Sequence, residues 1–182
     1  MATQGHTSQD QCLLCKVGGY ILENPVIITA IVAALIAFWG VISQRLISRR
    51  RATSDLVHKV NNDQAYISAT NQFASSKELG ELEMLANPGK TTCDEARKIQ
   101  VILNNYESVS VGIKRGTLDY KIIKDNWRSS IIYHWENGEP FIIKMRNESG
   151  QKTLWEEFEK LYHWVKNHKK PPILNRLSNL LF

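Results

Sequence analysis

The hydrophobic pattern of the chain changes character at Arg45. From Asn24 to Gln44 no residue is charged, and the run NPVIITAIVAALIAFWGVISQ is apolar around its whole circumference, interrupted only by Thr29 and Ser43. At about 1.5 Å rise per residue, a helix of this length spans the roughly 30 Å hydrocarbon core of a bilayer. The pattern predicts a transmembrane helix over 24–44. Pro25 suits its first turn, where a missing N–H costs nothing, and the indole of Trp39 suits the headgroup level. A cleaved signal would start basic and end in small residues. Here only Lys16 precedes the run, against Asp10 and Glu23, and Phe38-Trp39-Gly40 lies near its end.

Beyond Arg45 the apolar positions recur with helical spacing. Residues 48–73 are polar with scattered Leu56, Val57, Val60, Tyr66, Ala69 and Phe73, which reads as a helix or stalk continuing from the membrane. Ser75 with Glu78 predicts a capping box opening a helix through Leu79, Leu82 and Leu85, stopped by Asn87-Pro88-Gly89. Thr92 with Glu95 predicts the next start. Ala96, Ile99, Ile102, Leu103, Tyr106, Val109 and Ile113 then recur at 3.6-residue spacing up to Gly116. A further helix is expected from about Leu118 to Trp135, stopped by Asn137-Gly138, with Pro140 to Asn147 a short helix or an extended piece. Thr153 with Glu156 is expected to cap the last strong helix, whose inward face is Leu154, Trp155, Phe158, Leu161, Tyr162 and Val165. No alternating pattern persists, so the fold class is all-α: one membrane helix followed by a small irregular bundle. The expected organisation is a short outer segment (1–23), the transmembrane helix (24–44), a juxtamembrane helix or stalk (45–75), a helical domain (76–167) and a basic, amphipathic tail (168–182).

Charge refines this picture. The formal net charge is +5. Arg45, Arg49, Arg50 and Arg51 follow the run, and Lys166, Lys169, Lys170 and Arg176 mark the tail, while the body between is close to neutral. The positive-inside rule places residues 1–23 outside and the C-terminal part in the cytoplasm. The arginines read as topology determinants and headgroup anchors, with anionic-lipid recognition the sharper alternative. Bases concentrated at two places give poor footing for a phosphate backbone, so no nucleic-acid partner is expected. The lipid bilayer is the expected partner, with another protein or a second copy beside it.

Recognisable chemistry is sparse. Cys12 and Cys15 form one C-x-x-C in the outer segment, open to three readings: a small-loop disulfide, half a metal site, or incidental thiols. Gly89-Lys90-Thr91 lacks the earlier glycine of a phosphate loop, since Met84 stands there. His163 and His168 lack helical metal-pair spacing, and neither H-E-x-x-H nor G-x-S-x-G occurs. Glu156, Glu157 and Glu159 read as a solvated first turn. No catalytic residue, metal or cofactor is therefore expected. If the protein is instead a membrane-tethered enzyme, Lys90, Cys93 and His134 are the positions to probe.

The arginine cluster with Arg51-Ala52-Thr53, the Trp127 to Trp135 segment, Pro140 and the Trp155-Glu156-Glu157-Phe158-Glu159-Lys160-Leu161 helix follow in this order over residues 25–165. In this the chain resembles a domain-of-unknown-function family of short, membrane-anchored bacterial and phage proteins. The resemblance implies a bacterial or prophage origin and a single-pass inner-membrane location, and it carries no catalytic residue. The combined expectation is a non-enzymatic, membrane-anchored interaction or regulatory module. The alternatives are a tethered enzyme with an unrecognised site and an anionic-lipid surface sensor.

Overall fold

The structure is a computed structural model that describes residues 25–168 and 171. The chain is all-α, with no strand among the described residues. Its helices are α1 (Pro25–Asn61), α2 (Gln64–Glu78), α3 (Asp94–Lys114), α4 (Tyr120–Ser149) and α5 (Glu156–Lys166), with a 3-10 turn at Met84–Ala86 between α2 and α3. Glycines in the left-handed region end α2, α3 and α4, and aspartate side chains cap the starts of α2 and α4. Cys12, Cys15 and nearly all of the tail lie outside the described residues.

The chain divides into two compact units, residues 1–45 and 46–182. The described part of the first is the apolar portion of α1. An 18-residue window there has a mean hydropathy of 2.6, and none of it is buried. Pro25 opens the helix on an exposed turn, and Trp39 is 73% exposed. This helix is long and apolar enough to cross a membrane.

In the second unit, α3 and α5 run parallel. Trp155 Nε1 donates to Asn104 Oδ1 at 2.8 Å, and the Phe158 N–H donates to Glu107 Oε2 at 2.7 Å. Both helices oppose α4, since Arg146 pairs with Glu159 and Glu136 with Lys166. Every apolar position expected on the inner face of α3 is buried. An aromatic layer fills the centre. Tyr106 stacks on Phe158 with centroids 4.8 Å apart, and Trp135 meets Phe158 edge-on at 5.2 Å. The stretch expected as a stalk is packed into this body, with Thr53, Val57, Ala69 and Phe73 buried.

Four local expectations are corrected. No helix runs from Ser75 to Leu85. α2 ends there in a Schellman turn, with Glu81 N–H donating to the Ser76 carbonyl and Gly80 N–H to that of Lys77, Gly80 taking φ +68°. Leu82 and Leu85 are still buried, from a turn instead of a helix. The N-cap of α3 is Cys93 and not Thr92, and no side chain closes it. Asn137-Gly138 stops nothing, because α4 continues unbroken to Ser149 through Gly138 and Pro140. Gly138 lies under the Phe73 ring, where an added Cβ would sit 3.5 Å from ring carbons, and Pro140 falls on the exposed face, where water meets the freed carbonyl. Finally, α5 is capped by Trp155 at φ 56°, not by Thr153. The capping acceptor, Glu107, comes from another helix.

Candidate functional site

Past Arg45, α1 presents Arg49, Thr53 and Val57 one turn apart on a single face. Thr53 is fully buried. Its hydroxyl donates to the Arg49 carbonyl at 2.7 Å and accepts the backbone N–H of Asp119 at 2.8 Å. Asp119 is the N-cap of α4. Its Oδ1 accepts from the N–H of Lys121 at 2.9 Å and, at a longer 3.4 Å, from that of Ile122. Its Oδ2 lies 3.2 Å from Arg49 Nη2 and 3.8 Å from Arg50 Nε. One carboxylate thus caps a helix and gathers two arginines. The Arg49 contact is the stronger, because its side chain is 30% exposed against 69% for Arg50.

This arrangement gives two arginines a role that their position in the sequence does not show. Arg49 and Arg50 are tied to the start of α4 through Asp119, while Arg45 and Arg51 are exposed. Thr53 and Asp119 are the residues that sequence reasoning missed. An Asp ahead of the periodic pair Ile122-Ile123 was a usable N-cap signal.

A second polar group lies in the aromatic core. Tyr106 Oη and His134 Nδ1 are 3.0 Å apart, and the Tyr106 hydroxyl also interacts with those of Tyr66 and Ser130. Phe73 meets the His134 ring edge-on at 4.8 Å. Burial holds the imidazole at a pKa of about 4, and a contact with the Ser130 backbone opposes this only partly. Burial likewise pushes the Tyr106 phenol well above its ordinary range, with Tyr66 adding to the shift. His134 Nε2 has no hydrogen-bond partner. The ring is neutral, enclosed and only 3% exposed, which suits packing better than proton transfer to a substrate.

The other positions singled out for chemistry do not converge on it. Lys90 and Cys93 share the turn before α3, where the Cys93 N–H donates to the Lys90 carbonyl at 2.9 Å. That turn precedes Tyr106 by about three helical turns, or roughly 18 Å along α3. Open grooves lie on the surface of the bundle among the described residues. One, of about 400 Å³, follows Gln64, Ile67, Ser68, Asn71, Gln72 and Ser75 on α2. Another, of about 470 Å³, includes Glu83, Glu139, Pro140, Ile143 and Lys144. Neither groove includes His134 or Cys93. The described residues hold no group of three metal-ligating side chains. The first-turn acids of α5 are engaged and not merely solvated: Glu157 pairs with Lys114 at 2.8 Å and Lys160 at 3.0 Å, and Glu159 with Arg146 at 2.9 Å.

A family model described as a domain of unknown function, DUF4760, matches residues 27–164. No curated protein and no solved structure matches the chain.

Proposed function

We propose, on the premise that this chain belongs to the DUF4760 family, that it is a non-enzymatic, membrane-anchored interaction module of bacterial or phage origin. Its anchor is the uncharged run 24–44 in the inner membrane, with residues 1–23 outside and the helical bundle at the cytoplasmic face. The orientation rests on the bases of Arg45, Arg49, Arg50 and Arg51 against Lys16. The partner is another protein, or a second copy, met at the membrane.

One observation supports this reading above the others. The apolar helix that leaves its side chains exposed continues without a break into the segment that Thr53 and Asp119 lock onto the bundle. Of the buried polar side chains, Thr53 joins α1 to the start of α4, and Tyr106 and His134 join α3 to α4.

In-cell crosslinking of the full chain, tagged at its C-terminus, tests the proposal. One stoichiometric protein partner is expected, and it should disappear when Ala33→Arg and Leu35→Arg together block insertion of the span. Capture of no partner, or of the same partner by the variant, would sink it.

A further inference from the structure

We infer that the groove along Pro140 and Ile143 of α4 is a docking site for the chain's own C-terminal segment, residues 173–181. The segment binds in cis, with leucines against Ile143 and Arg176 paired with Glu139 or Glu148. Both parties belong to the part of the chain after Arg45, so the membrane reading of residues 24–44 plays no part.

Pro140 and Ile143 lie about one turn apart on α4 and are exposed, Ile143 by 49%. Glu83, from the residue just before the 3-10 turn, lines the same groove, with its Oε1 3.9 Å from Lys144 Nζ. Glu139 and Glu148 also line it, and they pair with no base among the described residues. The groove thus carries three acids against one base, in a chain whose net charge is +5. A complementary occupant supplies an apolar side chain for Ile143 and a base beside it.

Residues 173–181 have this chemistry. Ile173, Leu174, Leu177, Leu180 and Leu181 are apolar, and Arg176 is the one charge among them. Their point of departure fits as well. The end of α5 is held against the first turns of α4, where Tyr120 Oη donates to the Trp164 carbonyl at 3.0 Å and His168 Nδ1 lies 3.4 Å from Lys124 Nζ. Glu139 follows Lys124 by fifteen residues in the same helix, about 22 Å of rise. Arg176 follows His168 by eight residues, and an extended chain of that length spans up to about 27 Å. Two successive prolines, Pro171 and Pro172, favour an extended path at its start. Leu180, four residues further, has the reach for Ile143 one turn beyond Glu139. Attachment in cis also supplies an effective concentration on the order of millimolar, so a contact too small to hold a free peptide can persist.

Arg176→Lys keeps the charge and supplies an amine for the test. The full chain carrying it is treated in detergent with a carbodiimide, which joins an amine to a carboxylate in direct contact, and the linked peptides are read by mass spectrometry. The Lys98–Asp94 pair, 2.7 Å apart, is the internal reference. Coupling of position 176 to Glu139 or Glu148 is expected within the monomer. Ile143→Ser, at an exposed position outside the core, should lower its yield roughly fivefold relative to the reference. Leu177→Ser with Leu180→Ser, in the segment itself, should do the same. Coupling confined to dimers would assign the groove to a second copy and overturn the inference. Coupling that neither variant changes, or none while the reference pair forms, would overturn it too. A failed search for a protein partner leaves this readout untouched.

Discussion

The Thr53 hydroxyl accepts the backbone N–H of Asp119 at 2.8 Å from a fully buried position. The two residues are far apart in sequence, and their contact fastens the C-terminal part of α1 to the start of α4. Thr53→Val keeps the shape and removes the acceptor, so the buried N–H of Asp119 loses its partner. The expected cost is about 1–3 kcal/mol, read as a lower denaturation midpoint of the full chain in detergent. Thr53→Ser should recover most of it. A Val variant as stable as the parent would show that this contact does not hold the junction.

The cap of α5 offers a second comparison. Glu107 accepts the Phe158 N–H from another helix. Burial raises its carboxyl pKa, opposed by that bond and by one from the Glu157 N–H. Glu107→Ala should destabilise by about 1 kcal/mol, as loss of an N-cap acceptor does. Thr153→Ala, at the residue that the local pattern nominates as cap, should cost much less. Thermal melts of the two variants side by side decide between them.

His134 makes stability pH-dependent in a stated direction. Its folded pKa of about 4 lies below the ordinary 6.5. Above pH 6.5 both states are neutral and the contribution is complete. Between 6.5 and 4 only the unfolded chain takes up the proton, so stability falls as pH falls through that window, by roughly 3 kcal/mol in full. His134→Phe should flatten this part of the profile. Urea midpoints of parent and variant at pH 7 and at pH 4.5 measure it, and parallel losses in the two would exclude His134 as the source.

Gly138 separates a helix interior from a helix stop. An added Cβ meets the Phe73 ring at 3.5 Å and Leu103 Cδ2 at 3.8 Å, which is ordinary contact. Gly138→Ala should therefore be neutral or stabilising by up to about 1 kcal/mol through helix propensity. Gly138→Leu has no room beneath the ring and should destabilise by about 1–3 kcal/mol. Melting temperatures of the two variants carry opposite signs if α4 is continuous here.

Composition and period alone determined the helical class, the 24–44 run, the buried face of α3 and the stop at Gly116. Each depends on spacing within one segment, or on a glycine's freedom to adopt positive φ, and needs no partner to be read. Tertiary structure decided the rest. Gly138 and Pro140 look like breakers until Phe73 covers one and solvent meets the other. Thr153 looks like a cap until Glu107 supplies the acceptor from α3. Arg49 and Arg50 look like headgroup anchors alone until Asp119 is folded against them. A hydrogen bond or ion pair between residues far apart in the chain leaves no local pattern, because its geometry exists only after the helices have packed.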